Sequence, residues 1–351
     1  MTQQINLSLK KLKGIKPKGV KPRPNSNLEK LIQVTDELIE KHSKDQFSIS
    51  LYDNHFSWYE KMFQEFNADF SNCIEFSESD LVAWISYYSD LEKNDARTVI
   101  TGICSGVLLT VLAENNKKNN KKTILDIDGN NQKFSGLFYC AKYADELTVR
   151  NFIGDGICKY FATEGGQVDK LCLFNISGTQ SANNCGLKGL VGSLYLINST
   201  NNDSVVSHPF ATNVWVVNSN FTSNSGILSI GSADRIWVFN NLINDIDYHA
   251  NLDKKELFFN VLKKGSDFNR MRYTGDKTYS ANFKSFVFYD PDFNQIDLTK
   301  ISSENFFVGE PAMMKYKKIT ELSNSLTNKP FEEIMQTLDQ IEKIYERIET
   351  K

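Results

Sequence analysis

The chain has 351 residues, of which 40 are Lys or Arg and 43 are Asp or Glu; 40% are apolar and 24% are charged. This composition is that of a globular protein, and it excludes a collagen-like chain, a pure coiled coil and a wholly disordered chain. The length allows two or three domains, with a core that needs neither disulfides nor metal ions for its stability.

The first 24 residues carry basic charges and no acidic ones, and their glycines and prolines interrupt any helix or strand. The sequence therefore predicts a disordered basic arm over residues 1–24, while the remaining chain keeps 33 basic and 43 acidic side chains. Such an arm is a candidate contact for nucleic acid or another anion. The candidate anion contacts are Lys10, Lys11, Lys13, Lys16, Lys18, Lys21 and Arg23.

The same N-terminal stretch lacks the apolar run of about 7–15 residues that a secretory signal needs. We therefore expect a cytoplasmic protein whose six cysteines are reduced thiols, since no C-x-x-C pair is present.

Residues 25–118 show the pattern of an α-helical domain. It begins with a capping box, Ser26-x-x-Glu29, and further helices are predicted over about 54–67, 79–92 and 95–114.

The last of these helices contains Gly102-x-x-x-Gly106, a spacing that lets two helices approach closely. Its 16 uncharged residues, Thr98 to Ala113, are fewer than the roughly 20 that span a bilayer. A buried core helix is therefore predicted, and no membrane span.

A repeat occupies residues 123–245. Five blocks have the pattern aliphatic-x-aliphatic-x-Asn, and their asparagines recur at steps of 24, 23, 20 and 22 residues. A period of this length is typical of a solenoid, and the alternation of apolar residues indicates strands. We predict a right-handed parallel β-helix of about 5–6 coils in which stacked asparagines form a structural ladder through their amides. The ladder residues are Asn151, Asn175, Asn198, Asn218 and Asn240.

Glycine corners accompany the coils, as in Gly186-Leu-Lys-Gly189-Leu-Val-Gly192. In this feature the segment resembles the glycine-repeat β-helix of the C-terminal domain of the glutamate synthase large subunit. The resemblance covers about one third of the chain, and the regular Gly-x-x-Gly-x-x-x-Gly motif of that family is not kept. It implies a structural solenoid without catalytic residues.

The residues that alternate with the inward-facing ones point outward, yet many of them are large and apolar. An exposed apolar face of this kind is normally covered by the chain itself, by a partner or by a ligand. Stacked aromatic rings on successive coils would also suit a sugar. The candidate ligand or partner surface consists of Phe174, Tyr195, Trp215, Trp237 and Phe239.

Residues 246–351 are predicted to form an α/β segment that begins with a helix at Lys254–Lys264 and ends in a helical hairpin. The second helix of the hairpin has an apolar seam with 4-3-4-3 spacing, formed by Ile334, Leu338, Ile341, Tyr345 and Ile348. The seam is expected to pack on the solenoid or on the N-terminal helices, and self-association through it is the alternative.

No catalytic residue, cofactor site or metal site is predicted. The four histidines are far apart in the sequence, and no phosphate-binding loop or zinc spacing occurs. Three aspartates, Asp145, Asp169 and Asp234, precede their strands at equivalent repeat positions, which favours a structural over a catalytic role.

The sequence thus predicts an α+β multidomain protein with an α-helical N-terminal domain, a central β-helix and a C-terminal α/β segment. The expected function is that of a non-catalytic scaffold or protein-interaction module. The alternatives are a polysaccharide-binding or polysaccharide-cleaving β-helix that uses Tyr195, Trp215 and Trp237, and nucleic-acid binding through the basic arm.

Overall fold

The structure is a computed structural model that describes residues 26–43, 54–69, 75–90, 96–201, 211–221, 227–230, 233–243, 245–248, 255–262, 270–273, 281–290 and 301–350. The predicted basic arm lies outside these residues.

In the described residues, four helices precede the first strand. Two begin with capping boxes, in which Ser26 and Ser77 each accept a hydrogen bond from a backbone N–H three residues later. The helices are α1 (Asn27–His42), α2 (Asn54–Asp69), α3 (Glu78–Tyr88) and α4 (Ala96–Lys118).

The strands that follow build a parallel β-solenoid of about five turns between β1 and β10. The strands are β1 (Ile124–Lys133), β2 (Tyr143–Ile153), β3 (Gln167–Phe174), β4 (Ser177–Gly178), β5 (Leu190–Ile197), β6 (Thr200–Asn201), β7 (Ala211–Val217), β8 (Asn220–Phe221), β9 (Ile227–Ile230), β10 (Arg235–Phe239), β11 (Leu242–Ile243), β12 (Asp245–Tyr248), β13 (Lys255–Val261), β14 (Arg270–Tyr273), β15 (Ala281–Tyr289) and β16 (Ile301–Val308).

The long strands β1, β2, β3, β5, β7, β10, β13, β15 and β16 pair side by side in chain order, and every pairing is parallel. The short strands β4, β6, β8 and β11 make a second parallel row, and β9, β12 and β14 make a third. The predicted parallel β-solenoid is therefore confirmed.

The boundary predicted at residue 245 is wrong, because the parallel sheet continues through β13, β15 and β16. The helix predicted over Lys254–Lys264 is also wrong, since Lys255–Val261 is a strand that pairs with β10 on one side and β15 on the other. The flanking lysines resemble the charged ends of a helix, but the apolar run between them is buried in the sheet.

Three further helices follow the sheet: α5 (Glu310–Lys315), α6 (Lys317–Asn324) and α7 (Phe331–Glu349). We call α6 and α7 the C-terminal hairpin. Its apolar side covers the outward face of the long strands.

Two separate cores lie on the two sides of the long sheet. The inner core joins the solenoid interior to the N-terminal helices, so these helices share one core with the coils. The outer core lies between the outward face of the sheet and the C-terminal hairpin.

Helix α4 lies directly against the backbone of the first coil. A Cβ atom at Gly106 would stand 2.0 Å from the carbonyl oxygen of Tyr139, and one at Gly102 would stand 2.9 Å from that of Gly136. The small-residue spacing therefore permits contact between a helix and a solenoid coil, not between two helices as the sequence suggested.

By length and composition α4 is also a helix that could cross a membrane, the one such helix in the part of the chain that the structure describes. However, 83% of its apolar stretch of 18 residues is buried inside the protein. This burial is that of a core helix.

Candidate functional site

The outward face of the sheet carries a stack of aromatic rings, which we call the outer aromatic row: Tyr195, Trp215, Trp237 and Phe259. These residues are paired in register on β5, β7, β10 and β13. Successive ring centroids are 6.0, 4.5 and 5.6 Å apart, and the interplanar angles are 8°, 3° and 20°. The parallel register of the strands therefore stacks these rings face to face, in nearly parallel planes.

The C-terminal hairpin and the residues before it cover this row. The ring of Tyr345 meets Trp237 edge-on at 5.3 Å, and Tyr316 meets Phe259 at 5.2 Å. The indoles of Trp215 and Trp237 are 1% and 0% exposed. Of the three covers that the sequence left open for this row, namely the chain itself, a partner or a ligand, the structure shows the chain itself.

The remaining residues of the predicted surface are also covered. Phe239 is buried in the outer core, and half-buried Phe174 packs against Phe331 at the start of α7, with ring centroids 5.1 Å apart. The apolar seam of α7 faces the same core, with Ile334, Leu338 and Ile341 buried there. The seam, for which self-association was the alternative prediction, therefore packs against the solenoid of its own chain.

Polar groups at the rim fix the hairpin to the sheet. The Asn218 amide donates to the carbonyl oxygen of Leu326 at 2.9 Å, and the Asn240 amide donates to that of Ser323. These two asparagines thereby bind backbone carbonyls at and just beyond the C-terminal end of α6.

An ion-pair group holds the middle of α7. Arg235 on β10 lies 3.5 Å from Glu342 and 3.6 Å from Glu346, one turn apart on the helix. Burial raises the pKa of Glu342, and the guanidinium of Arg235 opposes that rise. The acidic i, i+4 pair on α7 was the sequence signal for this contact, but its partner on a distant strand could not be identified from spacing.

The end of α7 is held by Glu349. Its carboxylate accepts hydrogen bonds from Lys315 Nζ at 2.9 Å, Tyr316 Oη at 2.7 Å and Ser285 Oγ at 3.3 Å. Burial acts to raise the pKa of Glu349, but the hydrogen bonds from Lys315 and Tyr316 outweigh it and the pKa is lowered.

Four of the repeated asparagines stand at the corner directly after β3, β5, β7 and β10, and Asn151 stands at the equivalent position near the end of β2. All five have positive φ, from 51° to 56°. Asparagine adopts this left-handed conformation more readily than other non-glycine residues. Amide-to-amide hydrogen bonds join Asn175 to Asn151 at 2.7 Å and Asn240 to Asn218 at 3.3 Å.

A second polar ladder runs inside the corner and was not predicted. The backbone N–H of Ile176 donates to Ser199 Oγ, that of Ser199 to Ser219 Oγ, and that of Ser219 to Asn241 Oδ1. The three side chains are buried. The only sequence signal was a polar residue directly after the asparagine.

Some buried polar atoms have no hydrogen-bond partner. Among the described residues these are the indole nitrogens of Trp215 and Trp237, Ser181 Oγ, the Oδ1 atoms of Asn213 and Asn220, and both amide atoms of Asn260, whose side chain is 0% exposed. Such atoms carry a desolvation cost without a compensating bond.

Two residues of the predicted acidic edge, Asp145 and Asp169, border a cleft of about 430 Å³ between the end of α4 and the starts of β2 and β3. Asp145 accepts a hydrogen bond from the backbone N–H of Thr123 at 2.7 Å, and Asp169 accepts one from Gln167 at 3.3 Å. The carbonyl oxygen of Asp234 accepts the N–H groups of Glu256 and Leu257 at the corresponding corner of a later coil. Asp145 and Asp234 thus contribute to the strand entrances.

No group of three or more metal-ligating side chains occurs among the described residues. Their five cysteines are unpaired and buried, and burial raises the pKa of Cys172 and of Cys185 to about 12. Since the thiolate is the reactive form, these thiols are poor nucleophiles at neutral pH.

No protein-family model matches the chain, and neither a curated protein nor a solved structure is significantly similar to it. The resemblance to the glutamate synthase solenoid thus receives no support beyond the shared parallel β-solenoid architecture.

Proposed function

We propose that the chain is a non-catalytic scaffold, a rigid solenoid that acts as a protein-interaction module in the cytoplasm. The observation that carries the proposal is the burial of the outer aromatic row under the protein's own hairpin. A solenoid whose outward apolar face is covered in this way keeps its shape without a ligand, as expected of a platform.

The sugar-binding alternative would require the hairpin to leave the sheet. That movement would expose Trp215, Trp237 and the apolar seam of α7 and would break the bonds of Asn218 and Asn240. Because burying one large apolar side chain is worth about 1.5–3 kcal/mol, uncovering several of them is unfavourable.

Tryptophan fluorescence tests the proposal. In a Trp58→Phe/Trp84→Phe variant only Trp215 and Trp237 emit, and we expect blue emission that acrylamide quenches weakly and that oligosaccharides leave unchanged. A Trp215→Phe/Trp237→Phe variant is the control, because it reports only the N-terminal pair. Red, quenchable emission that shifts on addition of an oligosaccharide would contradict the scaffold and favour a carbohydrate surface.

We also infer that the coils wind in the right-handed sense. Crossover connections between parallel strands of one sheet are right-handed in about 98% of cases, because strand twist favours that hand. The uninterrupted parallel order of the long strands supports this inference.

Nucleic-acid binding through the basic arm is a second candidate, and it rests on the charge distribution of the sequence. Residues 1–24 hold seven basic groups and no acidic group, whereas acidic groups exceed basic ones by ten in the rest of the chain. If the arm binds DNA, deletion of residues 1–24 should abolish binding measured by fluorescence anisotropy. Seven cations also limit the slope of log K against log salt to about −6. A steeper slope, or binding that survives the deletion, would contradict the arm as the contact.

A further inference from the structure

The two ends of the solenoid differ. At the first coil, helix α4 closes the end: Ser105 Oγ accepts the backbone N–H of Phe138 at 2.7 Å, and Thr110 Oγ1 accepts that of Lys142 at 3.0 Å. The helix also touches the coil backbone at Gly106. Backbone groups that would otherwise lack partners are thus satisfied, and the apolar interior is covered.

At the last coil, no described helix closes the end as α4 does at the first coil, and the inward-facing side of β16 is partly exposed. Phe258, Phe286 and Phe306 stack on successive strands, with centroids 5.0 and 5.2 Å apart. The first two rings are 0% exposed, whereas Phe306 is 45% exposed. Among the described residues, β16 pairs with β15 alone.

The outer edge of β16 also lacks the usual protection against strand pairing. Edge strands in soluble proteins are commonly guarded by lysine, proline or a bulge. The segment Ile301–Val308 contains no lysine and no proline, and Glu304 is its one charged residue. Residues 25–351 have ten more acidic than basic groups, so two copies of the chain repel each other over most of their surfaces. Because β16 carries only one charge, two copies can approach through this strand with little repulsion.

We propose that β16 and the partly exposed end around Phe306 form a twofold interface with the same end of a second copy of this chain. Because α4 closes the opposite end, head-to-tail growth is blocked and the assembly stops at a dimer. Each copy offers the other an identical strand edge and an identical apolar end. The inference stands independently of the scaffold proposal.

The size of the end indicates how tight the dimer is. The repeated asparagines are about 22 residues apart on average, and at about 3.3 Å per residue a coil of that length has a cross-section of roughly 400 Å². Stable interfaces bury about 800 Å² on each partner. The dimer is therefore weak and depends on protein concentration.

Sedimentation equilibrium of the full-length protein, from about 1 to about 100 µM, tests this inference. The wild type should change from monomer to dimer across the range, and Phe306→Asp should raise the dissociation constant at least tenfold. The matched control is Leu190→Asp, since Leu190 is 66% exposed but lies on β5, away from this end. This control should dimerise like the wild type. A wild type that stays monomeric throughout, or a Phe306→Asp variant that dimerises normally, would overturn the inference.

Hydrogen exchange of the unmodified protein provides a measurement that does not depend on the folding of a variant. Amides of Ile301–Val308 should become more protected at about 100 µM than at about 1 µM. Equal protection at both concentrations would contradict pairing of β16 between two copies of the chain. That result is also the one expected if β16 pairs only with a strand of another protein.

Discussion

Five consecutive coils of this solenoid turn at a residue that has positive φ and satisfies backbone groups at a corner. Asparagine meets both needs at Asn151, Asn175, Asn198, Asn218 and Asn240. Along the axis the amide of Asn175 binds that of Asn151 and the amide of Asn240 binds that of Asn218, and near the hairpin Asn218 and Asn240 bind carbonyls at the end of α6. A single residue type thus forms the turn, links neighbouring coils and holds the covering helices.

Asn260 lies inside the solenoid, and its side-chain amide forms no hydrogen bond. It pairs in register between Val238 and Phe288, and both of its amide atoms are buried without a partner. The nearly isosteric change Asn260→Leu should raise the free energy of unfolding by about 1–3 kcal/mol, because it removes an uncompensated polar group.

The control for this change is Asn241→Leu. Asn241 is also buried, but its Oδ1 accepts the N–H of Ser219 at 2.7 Å and its Nδ2 donates to the Val216 carbonyl at 2.8 Å. This variant should therefore be destabilised by a similar amount in urea unfolding. If both substitutions lowered stability equally, the assignment of Asn260 as unpartnered would be wrong.

At the scale of elements, the sheet and its helices depend on close approach of the backbone. Helix α4 carries glycine where a coil crosses it and hydroxyl groups where the coil needs acceptors. Its apolar composition suits a core helix, but the sequence alone did not reveal which surface would lie against it.

Gly106→Ala tests this contact. In an isolated helix the change should stabilise by about 1 kcal/mol. Here the new Cβ atom would stand 2.0 Å from a backbone oxygen, so the helix must shift and we expect a net loss of about 1–3 kcal/mol. Gly102→Ala, with its milder approach of 2.9 Å, should lose less. Thermal unfolding of both variants measures these losses. A higher Tm for Gly106→Ala than for the wild type would contradict the close approach.

The attachment of α7 should depend on pH through Glu349, whose pKa lies below its ordinary value of 4.5 in the folded protein. A carboxyl group with a lowered pKa contributes stability that is present above its ordinary pKa and is lost as the pH falls through the folded value. At pH 7, Glu349→Gln should therefore lower Tm by about 2–4 °C, and the difference from the wild type should shrink below about pH 4.

The control for this pH dependence is Glu333→Gln, because Glu333 is exposed on the same helix. Its Tm should follow that of the wild type at every pH. A difference between the wild type and Glu349→Gln that stays constant from pH 3 to pH 7 would show that Glu349 acts through packing and not through its charge.

For the whole molecule, the repeat predicted the parallel solenoid because its corner asparagines recur on five consecutive coils. The later coils were missed because the corner is occupied by Leu262 and Asp290, so the repeat is no longer visible although the pairing continues. The outward aromatic residues were identified from their alternation with inward ones. Their cover depended on contacts between residues more than one hundred positions apart, which no local pattern encodes.

Because the inner core and the outer core are separate, we can predict how the molecule responds to deletion of the C-terminal hairpin. Deletion of residues 310–351 removes the cover of the outer core but leaves the inner core and α4 in place. Trp215 and Trp237 should then become accessible to water, with red-shifted emission, stronger acrylamide quenching and binding of a hydrophobic dye. The control is deletion of residues 1–24, which should leave the emission unchanged. Unchanged blue emission after the hairpin deletion, with near-native circular dichroism, would mean that residues outside the hairpin suffice to bury the aromatic row.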